Sequence, residues 1–180
     1  LCRPDDAGRA ASLFAGAGHS RARRAVHSRL GALLPGSASA GTHAPKDIVV
    51  AMGVLWEDQV IYIWHSAPGT QMSQALAGFH MLPAWQSVIG MALLAAESDE
   101  DLMARFTPEQ WQQLGPHIHQ QREQGYVVWH HDDGEVSMAQ PLGAHSAALA
   151  FAGMWQVDEA RIRSRRDELQ LLAGLLTRKS

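Results

Sequence analysis

The stretch that most constrains how this chain can fold is MLPAWQSVIGMALLA, residues 81–95. It follows two strand-like runs and reads as an amphipathic helix, led in by Leu82-Pro83 and lying as a floor under a sheet. Trp85, Val88, Ile89, Ala92 and Ala96 fall at helical spacing on one face, with Gln86 and Ser87 off it. Gly90 permits something to approach closely, either a packed strand or a bound molecule, and the spacing does not choose between them.

The segments around this helix change period in a definite order. Residues 1–18 hold a short Ala-rich run after Pro4, which Asp5 or Asp6 can cap and Gly16 or Gly18 can end. RARRAVHSRLGALL, 21–34, carries Ala25, Val26, Leu30, Leu33 and Leu34 as an apolar stripe. Its arginines read as a solvated face, because no base-reading pattern accompanies them. After a loop rich in small residues, DIVVAMGVL (47–55) and QVIYIWH (59–65) are β-branched and aromatic and form a hairpin, each strand apolar on both faces. TQMSQAL, 70–76, is a candidate third strand.

Beyond the floor helix the start and stop signals are strong. Ser98-Asp99-Glu100-Asp101 opens a short helix, and Thr107-Pro108-Glu109-Gln110 opens another with a cap, a proline in its first turn and a capping-box glutamine. That helix turns Trp111, Leu114 and Ile118 inward and stops at Gly125. YVVWHH, EVSMAQPL and AALAFAGMW then form an antiparallel meander. Asp158 caps a last helix with the stripe Ile162, Leu169, Leu172, Ala173, Leu176 and arginines facing water. The expected fold is α+β, helices packed on a mainly antiparallel sheet.

At 180 residues, with 46% hydrophobic and 18% charged, one domain with its own core is expected. A net charge of −3 gives no overall reason to bind nucleic acid or an anionic membrane. No run reaches the roughly 18 apolar residues of a membrane span, and the single cysteine, Cys2, fits a reducing compartment, so a cytoplasmic location is expected. Ten histidines invite a metal. However, His117 with His119 on a helix, or His130 with His131 on a strand, can each offer one ligand at most to a common ion. Convergence of one from each segment with a carboxylate such as Asp132 is the remaining route. No nucleophile elbow, phosphate loop or paired-histidine helix is present, so neither an enzyme nor a metal or other cofactor is expected.

Taken in order, VAMGVLWEDQVIYIWH, MLPAWQSVIGMALLA, REQGYVV, GEVSMAQPL and ALAFAG resemble the effector-binding domain of IclR-type bacterial transcriptional regulators, over roughly residues 20–177. The resemblance implies a GAF-like domain at 21–180, preceded by a linker-helix remnant at 1–20 that follows a missing N-terminal winged helix-turn-helix. It implies a small-molecule effector, DNA contact only through that missing domain, and a homodimer or tetramer. A GAF-like sensor domain of a signalling protein is the alternative.

The resemblance also carries pocket positions, one at a time, onto Met72 and Gln74 before the floor helix, onto Trp85, Ile89 and Gly90 within 81–95, and onto Trp129, Ser137, Ala150 and Ala152 in the later strands. Where relatives commonly have an acidic run this chain has Trp129-His130-His131, and where a cysteine is frequent it has Ser137. The serines of the family's last strand are Ala150 and Ala152, the histidine of the LP motif is Trp85, and the lysine after the helix glycine is Met91. A carboxylate would thus lose hydrogen bonds worth about 1.5–3 kcal/mol each. The expected effector is larger, partly aromatic or hydrophobic, stacked on Trp129 or Trp85 and read by Ser137 or a histidine.

Overall fold

The computed structural model describes residues 45, 47–69, 81–143 and 145–177. The stretches 1–20, 21–34 and 70–76, with Met72 and Gln74, therefore lie outside the described residues. Strands β1 (Val49–Trp56) and β2 (Gln59–Ser66) form the expected hairpin. A short strand β3 (Met81–Pro83) pairs with the start of β2, and a single 3-10 turn, Ala84–Gln86, follows it. Three helices come next, α1 (Val88–Leu94), α2 (Asp99–Arg105) and α3 (Pro108–Gln124). The meander β4 (Val127–His130), β5 (Glu135–Leu142) and β6 (Ala147–Trp155) leads into the closing helix α4 (Glu159–Thr177).

The six strands lie in the order β3-β2-β1-β6-β5-β4, every neighbouring pair antiparallel. Strand β1 is central, its edges paired with β2 and β6. Its two faces enter separate cores, Ala51 on the α1 side and Val50 and Met52 on the α4 side, which is why its sequence is apolar on both faces. The helices α1 to α3 connect one edge strand to the other. In doing so they cover one face of the sheet, and α4 covers β5 and β6 on the other. Side chains alternate between two cores. Ala51, Val60, Val127, Ala139, Ala148 and Ala150 join α1 to α3, while Val50, Met52, Trp64, Met138, Leu149 and Phe151 lie with Leu169, Leu172 and Ala173 of α4.

Residues 81–95 depart from the expected single amphipathic helix. Met81–Pro83 take up strand pairing along β2, and Ser87 stays extended at φ −131° and ψ 128°, its hydroxyl accepting from the Gly90 N–H. A hydroxyl able to satisfy that donor makes Ser87 the helix boundary. All seven residues of α1 are buried, so it has no wet face. Gly90 is explained by its neighbour: a Cβ there would fall 2.2 Å from the Ala84 carbonyl oxygen, so only glycine lets α1 press on the turn before it.

The later signals hold. Thr107 and Gln110 form the reciprocal capping box on α3, and the helix ends at Gly125, although it also runs through Pro116, which periodicity gave no reason to expect. On α4 one arginine departs from the expected solvent face: Arg165 is 5% exposed and ion-pairs with Asp47 and Glu168. Burial would raise the Asp47 carboxyl, but hydrogen bonds and the charges of Arg165 and Arg161 outweigh it and hold the group below its ordinary range. The pair ties α4 to the lead-in of β1.

Candidate functional site

On the face covered by α1, small side chains meet in register. Ala150 of β6 is the partner of both Ala51 on β1 and Ala139 on β5. None of these presents a hydroxyl, so this row of the sheet offers apolar surface and no side-chain donor. Polar groups gather at two places beside it.

The first lies on β4 and β5. Trp129 is the register partner of Ser137, so both point to the same face. Ser137 is 4% exposed and sits where the β5–β6 register slips, opposite Ala152 and Gly153. Gly153, at φ +71°, supplies the left-handed residue of this bulge. The ring of His131, two residues after Trp129, lies 4.0 Å from the indole centroid and tilted 30° to it. Its Nε2 is 2.7 Å from the Ser137 Oγ. From α3, His117 approaches the same indole with its centroid at 5.8 Å. Burial, and then the neighbouring His131 and His130, hold the His117 imidazole below its ordinary pKa and so favour its neutral form.

The second place is the start of α1. The Tyr62 hydroxyl lies 3.0 Å from the Ser87 Oγ, and His65 meets the Tyr62 ring edge-on at 6.4 Å. Burial pushes the Tyr62 phenol above its ordinary value, only partly offset by Ser87, so Tyr62 remains a neutral hydroxyl.

Of the expected positions, Trp129, Ser137 and Ala150 come together on one face, and Trp85 and Ile89 pack into the same core. Ala152 is half-buried in the bulge beside Val49. Gly90 faces the Ala84 backbone. Tyr62 and Ser87 were not among the expected positions, and His117 and His131 figured there only as candidate metal ligands. A strand period of two put His131 on the Trp129 face and was the available signal; nothing local pointed from α3 to β4. His119 is elsewhere, hydrogen-bonded to Asp99 and edge-on to Trp111. Among the described residues no three His, Cys, Asp or Glu side chains gather as metal ligands.

A curled, antiparallel six-stranded sheet with helices packed on it is a GAF-like α+β fold. The sequence model of the bacterial transcriptional regulator IclR C-terminal family matches residues 45–172, and the chain belongs to that family. It is the effector-sensing domain of an IclR-type regulator, which sets aside the signalling-protein alternative.

Solved structures share the fold. The Agobacterium tumefaciens repressor BlcR aligns at TM-score 0.68 with 19% identity, over 90% of this chain and 72% of its own. An IclR homolog from Microbacterium hydrocarbonoxydans, complexed with 4-hydroxybenzoate, aligns at 0.65 with 17% identity, over 94% and 72%. The inducer-binding domain of PobR from Acinetobacter, a double mutant complexed with 3-hydroxybenzoic acid, aligns at 0.58 with 19% identity, over 88% and 97%. No curated protein sequence matches the chain at a significant level. The family is one of transcriptional regulators, not of enzymes, and among the described residues no helix is long and apolar enough to cross a membrane.

Proposed function

We propose that this domain senses a small, partly aromatic effector held on the α1 face of the sheet. In this reading Trp129 supplies the stacking surface, Ser137 the hydrogen bond, and the alanines around Ala150 the apolar floor. Ile89 and Trp85 back the site, Ala152 lies at its rim, and Met72 and Gln74 are the further positions that the family resemblance assigns to it. The observation that carries the reading is the pairing of a half-buried indole with a buried hydroxyl across β4 and β5, next to a row that offers no other side-chain donor. The hydroxybenzoates bound by two structural neighbours are of the same chemical kind.

Effector occupancy would be relayed through a linker helix at residues 1–20 to an upstream winged helix-turn-helix, in a cytoplasmic homodimer or tetramer, with no metal or other cofactor and no catalytic step. Residues 21–180 form the sensing unit. Calorimetric titration with 4-hydroxybenzoate, 3-hydroxybenzoate, pyruvate and glyoxylate tests the ligand class. Aromatic acids should bind and the short acids should not, and Ser137→Ala should weaken binding by about tenfold, the worth of one hydrogen bond. Binding of the short acids alone would reject the aromatic class, and an undiminished Ser137→Ala variant would reject the site.

A further inference from the structure

We infer that the imidazole of His131 occupies the effector's place in the free protein, so that the effector is a flat aromatic molecule with a hydrogen-bonding heteroatom in its ring plane and binds by displacing that side chain. The inference rests on the reading of Trp129 and Ser137 as effector contacts.

His131 makes the two contacts assigned above to the effector. Its ring lies against the Trp129 indole with centroids 4.0 Å apart and planes tilted by 30°. Its Nε2, which lies in the plane of that ring, is 2.7 Å from the Ser137 Oγ. A molecule that takes the Ser137 hydroxyl must break this bond, and one that takes the same indole face must move this ring.

Leaving costs the backbone little. The main chain of His131 is anchored separately, its N–H donating to the Glu135 carbonyl at 2.8 Å and its carbonyl accepting from the Gly134 N–H at 3.0 Å. Rotation about the side-chain bonds alone can therefore withdraw the imidazole into solvent without opening the β4–β5 turn. The geometry also specifies the replacement. It needs a ring able to lie at stacking distance from Trp129, and a ring nitrogen, phenolic oxygen or coplanar carboxylate oxygen directed at Ser137. A short aliphatic acid satisfies only the hydrogen bond and leaves the indole face unfilled.

The test is titration of the 180-residue chain and its His131→Ala variant with imidazole and with 4-hydroxybenzoate. The variant should bind imidazole saturably where the unaltered chain does not. It should also bind 4-hydroxybenzoate about tenfold more tightly, because apparent affinity is no longer reduced by the fraction of molecules whose site is already filled. A variant that gains no imidazole binding, or binds 4-hydroxybenzoate more weakly than the unaltered chain, overturns the inference.

The underlying site reading has a separate readout in Ser137→Ala made in the His131→Ala background, where no imidazole competes for the Ser137 hydroxyl. Loss of affinity there, combined with no gain in His131→Ala, would leave the site standing and remove only the displacement. Should His131→Ala fail to fold, the unaltered chain answers through the ring-proton resonances of His131. The Trp129 ring current should displace them in the free protein, and saturation with 4-hydroxybenzoate should return them to ordinary positions. Resonances that stay displaced at saturation overturn the inference.

Discussion

Along β6, Ala148 and Ala150 face α1, whereas Ala147, Leu149 and Phe151 face the α4 side. The neighbouring strands repeat the contrast, with Ala51 against Met52 on β1 and Ala139 against Met138 on β5. The same three strands therefore present large side chains to one long helix and methyl groups to one short, fully buried helix. On the α4 side volume is filled by the sheet itself. On the α1 side it is filled by whatever the sheet is brought against: α1 over the alanines, and an indole with two imidazoles at their edge. A face closed by its own large side chains carries its packing within the sheet, while one built of methyl groups takes its packing from the elements laid on it.

The contrast is broken most severely from the α4 side. Phe151→Ala should cost about 3–5 kcal/mol, because a fully buried ring leaves a cavity its neighbours cannot close. Urea denaturation would measure it, and a loss under about 1 kcal/mol would show that this face is not the tighter of the two. Gly90→Ala comes next. Its methyl has no room against Ala84, and overpacking of this kind should cost about 1–3 kcal/mol, read as a lower melting temperature.

Ala150→Ser sharpens the comparison. It places a donor in the alanine row at a modest stability cost of about 1–3 kcal/mol if that hydroxyl stays unpaired. Titration should then show pyruvate or glyoxylate gaining affinity relative to 4-hydroxybenzoate; unchanged preference would remove the argument that missing hydroxyls set the ligand class.

The smallest effect is that of pH. The depressed His117 means that below about pH 6.5 the unfolded chain binds more protons than the folded one at this site. Stability present above that pH should fall as pH drops through the folded-state value. Melting curves of His117→Gln and the unaltered chain should therefore diverge between neutral pH and pH 5, the variant losing less. Parallel curves would place the imidazole in water.

Much of this architecture was legible in order along the chain. The β1–β2 hairpin, the capping box of α3, its stop at Gly125, the meander and the stripe of α4 all follow from periods and caps that act within a few residues. Within the site, the pairing of Trp129 with Ser137 was in reach, since the meander's turn sets which residues sit opposite. Residues 81–95 were misread for an equally physical reason. A helical period does not reveal that β2 offers an edge to Met81–Pro83, nor that Ser87 will cap a new helix. The same holds for Arg165, whose partner Asp47 lies more than a hundred residues away.

What the sequence determined by itself is the class of fold and the family, because local periodicity, capping and the spacing of motifs are properties of short segments. What only the tertiary structure decided is which side chains meet. Ala84 stands against Gly90 because a turn folds back on its helix. His131 lies between Trp129 and Ser137 because a hairpin and a bulge set its place. His117 joins them because α3 packs beside β4. Each of these is a distance between segments, fixed by packing and register, and such distances have no local signal to be read from.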